Sequence, residues 1–560
     1  MVLTNPAVKG LITLILFIIR VIVPFLSLTV VIKSYVSLKR SRRREDPVVI
    51  LENMDTHEVI PVLYWENSIG RSKSCDIILH DATASRDHAV LMRREMGWLV
   101  TDTGSKSGTF VNGNKVQDRT QVYPGDVIAM GSSALMLKRT SETTKIKQKK
   151  PVFRKAASPF GLMFSVTVIQ LLLCIQACFG GGKLGYNPVI AFGILFLLEW
   201  GLYFYSMKIL GRVSFELETI GFLLSGIGIL LISGMDIKLT YTQLGAVAIG
   251  IVLFSLMIWF MEDLDRVTRW RFAIAVGAVL LFIANLLLAR EHNGARNWIS
   301  LGPLSVQPSE FIKIAFVFVG ASTLDRLQTA KNLTGFIGFS GICMGALFLM
   351  HDFGTACIFF VTFLIVAFMR SGSVRTIALI CSVAVFGAFL ILKFKPYVAG
   401  RFKAWRHVWQ YVNESGGYQQ TRVLSYSASG GLFGLGIGNG WLKNVFASNS
   451  DLVFGMLCEE LGLLLSLICV FAIVLLMFYA RADVTRSRST FYSISACAAA
   501  GMLLFQTCLN IFGSTDVLPM TGVTLPFISL GGSSMAAVWG LLAFIKASDE
   551  RTYAARRKSR

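Results

Sequence analysis

Long, nearly unbroken apolar runs constrain this chain more than any other feature. A soluble domain has a similar share of apolar residues but breaks them into amphipathic patterns. Here runs of roughly 20 residues recur between short basic segments, and the bilayer is the solvent they imply. In lipid the backbone must satisfy its own polar groups, so the runs predict helices. The overall balance agrees, with 54% hydrophobic residues and a mean hydropathy of +0.61. The first run extends from Leu11 to about Val36, broken only by Arg20 and Lys33, and Lys39, Arg40, Arg42, Arg43 and Arg44 follow at once. A signal peptide carries its charge before its apolar core. This run has the opposite polarity and predicts a retained anchor. From residue 160 onward such runs dominate, and with the anchor they predict a polytopic α-helical bundle of about 12–13 spans.

The formal net charge of +21 fits the basic segments that flank the spans. The segments at 139–155, Arg266/Arg269/Arg271, Arg481/Arg486/Arg488 and Arg551–Arg560 alternate onto one side, which the positive-inside rule makes cytosolic. No nucleic-acid partner is expected. The other side receives a Gly/Asn-rich loop at 291–309 and a long loop at 394–452. Nine of the ten cysteines lie in or beside apolar runs and no CxxC pair occurs. The six histidines are scattered, so neither a disulfide framework nor a metal cluster is expected.

Residues 48–139 are different in kind. Short alternating stretches such as Trp98-Leu99-Val100-Thr101 are punctuated by glycines at 70, 97, 104, 108, 113, 125 and 131. That pattern predicts a small all-β sandwich. It contains Ile69-Gly70-Arg71, Ser85-Arg86-Asp87-His88, Ser105-Lys106-Ser107-Gly108-Thr109 and Gly125-Asp126. Together these resemble a forkhead-associated (FHA) domain. The resemblance implies phosphothreonine recognition, with Arg71 and Ser85 on the phosphate, Arg86, Lys106 and Ser107 beside it, and His88 bracing the loop. Chemically, a phosphate dianion calls for a guanidinium and short neutral donors. Ser107 stands where the family usually has Asn.

Four blocks in the apolar part are equally ordered. They are Asn293-Gly294-Ala295-Arg296-Asn297-Trp298 leading to Gln307-Pro308-Ser309-Glu310-Phe311-Ile312-Lys313; His351-Asp352-Phe353-Gly354; a stretch from Tyr418 through Ser429-Gly430-Gly431, Gly434, Gly436 and Gly438 to Asp451 and Glu459-Glu460-Leu461-Gly462; and Leu518-Pro519 through Pro526, Ser529-Leu530-Gly531-Gly532-Ser533-Ser534. The set resembles the SEDS (shape, elongation, division and sporulation) family of FtsW, RodA and SpoVE type. The family's Pro-Glu-x-His stretch is replaced here by Val445-Phe446-Ala447-Ser448-Asn449-Ser450, and extra spans precede the first block.

The resemblance implies a peptidoglycan glycosyltransferase acting on lipid II, the undecaprenyl-pyrophosphate-linked disaccharide peptide. That reaction needs a base for a sugar hydroxyl, positive charge for a pyrophosphate and a path to lipid. By resemblance, Asp451 is the base. As an acid before an apolar run it also reads as a helix cap. Glu310 and Lys313, three apart on one helix face, are substrate-binding candidates because ionisable groups at membrane depth are costly. Arg296, Glu459, Ser529 and Ser533 complete the set. The resemblance implies no definite cofactor, and the chemistry leaves room for a divalent cation such as magnesium or manganese. The implied partners are a class B penicillin-binding protein and a Thr-phosphorylated protein or Ser/Thr kinase. Two alternatives stay open: a lipid II flippase, and an inactive phospho-dependent scaffold, against which the retained Asp451, Glu310 and Lys313 argue.

The expected organisation is an anchor at 11–36, the FHA domain at 48–139, a basic linker at 140–158, the SEDS-like domain at 159–548 and a basic tail at 549–560. The expected location is the bacterial cytoplasmic membrane, with the FHA domain and C-terminus cytosolic and loop 394–452 external.

Overall fold

The computed structural model describes residues 6–40, 49–139, 157–549 and Thr552, apart from 63–65, 73–74, 95–96, 118, 181–184, 293–294, 302–303, 324–329, 372–373, 376, 383, 386–401, 403, 415–416 and 485–488. The expected linker and tail fall almost wholly outside the described residues, as do the start of the long loop and Asn293-Gly294.

Helix α1, Pro6–Arg40, carries the first apolar run and ends in its basic flank. Eleven strands follow: β1 Val49–Asn53, β2 Val59–Pro61, β3 Glu66–Gly70, β4 Ile77–Ile78, β5 Ala89–Arg94, β6 Gly97–Asp102, β7 Thr109–Val111, β8 Asn114–Lys115, β9 Arg119–Val122, β10 Val127–Met130 and β11 Ser133–Arg139. They form two sheets, ordered β2-β1-β11-β10-β7-β8 and β4-β3-β5-β6-β9. Strand residues face alternately in and out, and the inward ones, among them Ile69, Leu91, Val100, Ile128 and Leu137, make one buried core.

The remaining helices are α2 Pro159–Cys178, α3 Asn187–Phe204, α4 Glu216–Ser233, α5 Ile237–Met261, α6 Leu264–Leu288, α7 Pro308–Thr323, α8 Ala330–Leu349, α9 Phe353–Ser371, α10 Tyr418–Ser429, α11 Val453–Glu460, α12 Leu463–Val484, α13 Thr490–Ser514 and α14 Gly532–Ser548. Their starts are written in the sequence. Ser158, Asp236, Asp263 and Ser489 each accept a backbone N–H of the first turn they cap, which satisfies donors a helix start leaves open. Among the described residues, eight helices are long and apolar enough to cross a membrane, and the shorter apolar Thr334–Leu349 and Phe353–Met369 accompany them. Helices α7, α11 and α14 have only 16, 8 and 17 residues, and these short pieces surround the candidate site.

Glycine lets the bundle close around Trp539. A Cβ on Gly250 would lie 2.9 Å from the Trp539 Cβ, and one on Gly221 3.0 Å from its ring. The indole is fully buried against Phe222, 4.8 Å between centroids. Small residues at such crossings permit the close backbone approach that membrane helices use in place of a hydrophobic drive.

Three segments depart from what their residues suggest: the apolar runs 453–480 and 522–546 each read as one span, and 291–309 reads as a loop. The apolar run at 453–480 is not one span: it breaks at Leu461-Gly462 into α11 and α12. Gly462 has φ +90°, and a Cβ there would come within 2.4 Å of the Leu432 carbonyl. The run at 522–546 is helical only from Gly532, because residues 515–531 are irregular. The segment at 291–309 is structured: β12 Arg290–His292, β13 Ala295–Leu301 and β14 Leu304–Val306 form a three-stranded antiparallel sheet, pinned where the Arg296 N–H donates to the Met350 carbonyl at 3.1 Å.

Candidate functional site

A cavity of about 720 Å³ opens between the β13–β14 sheet, the start of α7, the turn before α9, the stretch before α11 and the irregular segment 515–531 with the start of α14. Asp451, Glu310, Asp352, Gln307, Thr524 and Ser534 are among its walls. Asp451 arrives on the irregular stretch before α11. Its backbone carbonyl accepts the Asn510 side-chain amide at 2.9 Å, and the same amide donates to the Val523 carbonyl at 2.7 Å. One residue of α13 thus ties the Asp451 segment to the irregular stretch 515–531. Gly522, at φ +69°, sits beside the carboxylate, and a Cβ there would stand 3.4 Å from Asp451 Oδ2.

Glu310 and Lys313 enter from the first turns of α7. Both are buried, with Lys313 Nζ donating to Glu310 Oε1 at 2.8 Å and to Gln506 Oε1 at 3.0 Å. Gln506 then donates to the Thr524 carbonyl at 3.0 Å, and the Thr524 and Ser534 hydroxyls lie 2.7 Å apart. Glu310 Oε2 has no hydrogen-bond partner among the described residues. A buried carboxylate oxygen without a donor is costly. Glu310 as a residue also lines the cavity.

Asp352 was missed as a site residue, although its block was read. It caps α9 by accepting the Thr355 N–H at 3.1 Å and receives Gln307 Nε2 at 3.3 Å and Asn297 Nδ2 at 3.4 Å on its other oxygen. Gln506 and Asn510 were missed as well. The only signal they left was two amides four apart in an apolar run, a spacing that shares one helix face. Among the described residues, no group of three His, Cys, Asp or Glu side chains is arranged to hold a metal ion.

Other candidates lie elsewhere. Glu459 is fully buried but not in the cavity wall. Its oxygens accept the N–H groups of Trp441 at 2.7 Å and Leu442 at 2.9 Å, and Glu460 accepts that of Gly438 at 2.8 Å. These carboxylates staple the glycine loop rather than meet a ligand. The Ser529 hydroxyl donates to the Ser450 carbonyl at 2.6 Å and accepts the Leu525 N–H at 2.7 Å. Ser533 accepts the Gln307 N–H at 3.0 Å. Both hydroxyls are committed to the scaffold, and the neighbouring Ser534 takes the wall position. Arg296 is exposed beside Asn297 and Trp298, which line the cavity.

In the β-sandwich, Arg71, Ser85, Arg86, Lys106 and Ser107 come together at one end. The Arg71 N–H donates to the Ser85 carbonyl at 3.0 Å, and the Lys106 N–H to Ser85 Oγ at 3.0 Å. The Ser107 hydroxyl reaches the Thr83 carbonyl at 3.5 Å. Arg71, Arg86, Lys106 and Ser107 are exposed. Gly70 permits the approach, since a Cβ there would be 2.3 Å from the Arg86 carbonyl. His88 is fully buried; its Nδ1 accepts the Ser85 N–H at 3.1 Å, leaving Nε2 to donate to the Gly108 carbonyl at 3.1 Å. It braces the two loops, as read from the sequence. Asp81 anchors the next loop. Hydrogen bonds from Thr83, then from Ser132, outweigh desolvation and hold its carboxyl well below the usual carboxylate range.

Residues 218–553 match the family of cell cycle proteins FtsW/RodA/SpoVE, and residues 67–131 match the FHA domain. The peptidoglycan glycosyltransferase RodA of Mycobacterium tuberculosis (strain ATCC 25618 / H37Rv) is 27% identical over 355 residues, covering 58% of this chain and 75% of that protein. The probable peptidoglycan glycosyltransferase FtsW of Tolumonas auensis is 31% identical over 343 residues, covering 58% of this chain and 88% of its own. Among solved structures, a chain from a peptidoglycan synthase complex that coordinates polymerization and crosslinking superposes with a TM-score of 0.51 at 24% identity, covering 61% of this chain and 97% of its own. That likeness is one of fold.

Proposed function

This chain belongs to the FtsW/RodA/SpoVE family of cell cycle proteins and carries an FHA domain, and from that premise we propose that it polymerises lipid II at the outer membrane face with Asp451 as general base. It is a multi-pass membrane protein and a peptidoglycan glycosyltransferase. The observation that carries the mechanistic reading is the cavity that has both Asp451 and Glu310 in its walls, with Lys313 paired to Glu310 behind it.

The reaction asks the cavity to hold two lipid-linked sugars. The Asp451 carboxylate takes the proton of a sugar hydroxyl on incoming lipid II. That oxygen attacks the anomeric carbon of the growing chain, a glycosidic bond forms, and the bond to the undecaprenyl pyrophosphate breaks. Positive charge for the departing pyrophosphate comes from Arg296 on the rim and Lys313 behind Glu310. Asp352 and Gln307 offer a carboxylate and an amide to sugar hydroxyls.

The contacts of α13 support the orientation. Glu66 of the sandwich accepts the N–H of Thr490 at one end of this helix, and Asn510 holds Asp451 near the other. Twenty residues of helix span about 30 Å, the thickness of a hydrocarbon core. With the basic segments inside, the sandwich is cytosolic and Asp451 external. The exposed Arg71, Lys106 and Ser107 suit a phosphothreonine on a cytosolic protein. A class B penicillin-binding protein is the transpeptidase the glycan product requires.

The test is polymerisation of lipid II by the full chain in liposomes. Asp451→Asn should slow it at least about hundredfold, the usual worth of a positioned base. Wild-type polymer from that variant would remove the assignment. Calorimetry with a phosphothreonine peptide checks the second part, since Arg71→Ala should abolish heat seen with the parent.

A further inference from the structure

We propose that the outer face of the five-stranded sheet is a docking surface for the ends of α6 and α13 of the same chain, which fixes the FHA domain on the bundle. In β5, Ala89 and Leu91 point into the sandwich core, so Val90 and Met92 must point outward. An outward face of a free sandwich meets water. Yet Val90 is 3% exposed and Met92 0%. Their cross-strand neighbours behave alike: Thr101, paired with Val90, is 8% exposed, and Glu66, paired with Met92, is 7% exposed.

Two polar contacts say what covers the face. Glu66 Oε2 accepts the backbone N–H of Thr490 at 3.0 Å. This is one of the donors a helix start leaves open, at the positive end of the helix dipole. Arg119, which pairs with Thr101 across β6 and β9, places its guanidinium 3.6 Å from Asp265 in the first turn of α6. Glu66 and Arg119 lie three strand pairings apart and on different rows, so the contact crosses the face diagonally. Between them the fit is close. Arg119, Asp265, Val267, Ser489 and Phe491 wall a crevice of only about 10 Å³, room for one water at most. On the bundle side Val267, Ser489 and Phe491 are themselves buried.

Docking by this face leaves the loops that carry Arg71, Arg86, Lys106 and Ser107 exposed. A phosphoprotein bound there takes a set position beside α6 and α13. The helix that receives Glu66 is also the one that presents Gln506 and Asn510 to the Lys313 and Asp451 cluster. The inference stands on burial and contacts alone and does not depend on the glycosyltransferase reading.

The test uses the full chain in native membranes, with Glu66→Cys and Thr490→Cys joined by oxidation and a protease site placed in the 140–158 linker. After cleavage, a denaturing gel should keep the FHA fragment joined to the membrane fragment in most chains. Met92→Arg should cut that yield about tenfold by placing an unpaired charge in a desolvated contact. Amide exchange around His88 shows whether the sandwich stays folded. If Met92→Arg unfolds it, the outer charge pair decides instead. Arg119→Glu should lower the yield about twofold, as for an exposed ion pair, and Asp265→Arg in the same chain should restore it. Joining no greater than for Glu58→Cys with Thr490→Cys, joining only between differently tagged chains, an unchanged yield in a folded Met92→Arg, or failure of the charge swap to restore it would each overturn the proposal.

Discussion

Among the described residues, the bundle holds two buried lysine–glutamate pairs of nearly identical geometry at opposite ends. Lys313 meets Glu310 at 2.8 Å, and Lys546 meets Glu218 at 2.9 Å. Their surroundings differ. Lys546 is fully enclosed and also donates to the Ser214 carbonyl at 2.7 Å and its hydroxyl at 3.1 Å. Lys313 donates to Gln506, a side chain that leads on to the cavity wall, and its Glu310 lines that wall. The same pair therefore serves as a fastener at one end and backs a cavity wall at the other. What separates the two is whether the pair borders open space. A buried ion pair by itself is weak evidence for stability, because desolvation offsets attraction.

The comparison is broken most directly at Lys546. Lys546→Met should destabilise the bundle by about 3–5 kcal/mol, because Glu218 is left charged and dry. Glu218→Leu with Lys546→Met should recover most of that loss. Thermal unfolding of the purified chain in detergent measures both. Lys313→Met should instead cost about a hundredfold in lipid II polymerisation, as loss of positioned charge does. Its melting midpoint should move less than that of Lys546→Met. If the two variants lose stability equally and Lys313→Met keeps its rate, the distinction fails.

Asn510→Ala sharpens the comparison within α13. It removes two hydrogen bonds, to Asp451 and Val523, and should cost about 1–3 kcal/mol. Activity should fall with it, while crosslinking of the FHA domain to Thr490 stays as in the parent. The smallest effect is expected in the sandwich. The Asp81 carboxyl is held low by Thr83 and Ser132, so the folded state binds its proton less readily than the unfolded one. Its contribution is therefore complete above the ordinary carboxylate range, near pH 4, and is lost as pH falls below it. Amide protection factors of the sandwich in the full chain, each taken against the intrinsic rate at the same pH, should fall on acidification in the parent. In Asp81→Asn they should start lower and change less.

Much of this was legible in the chain. The apolar runs foretold the bundle, and the glycine-punctuated block foretold the sandwich. Of the candidate site, Glu310 and Lys313 were named because charged groups stand out in apolar text, and Asp451 because its block resembles the SEDS family; Asp451 and Glu310 line one cavity. Glu459 stood out for the same reason and proved to hold a loop, since its environment, not its type, sets its use. Gln506 and Asn510 carried no charge to draw notice. Ser529 and Ser534 are indistinguishable in the sequence, and only the direction of the irregular 515–531 segment decides which hydroxyl reaches the cavity.

The amino-acid sequence by itself determined the solvent, the number of modules and the residue types available for chemistry. These depend on local patterns: runs long enough to cross lipid, periods of two in strands, and caps at helix starts. Tertiary structure alone decided which of the carboxylates line the cavity, that α13 joins Asp451 to Lys313, and that the sandwich lays one outer face on the bundle. Those outcomes depend on groups hundreds of residues apart meeting at bonding distance, a condition that no local pattern encodes.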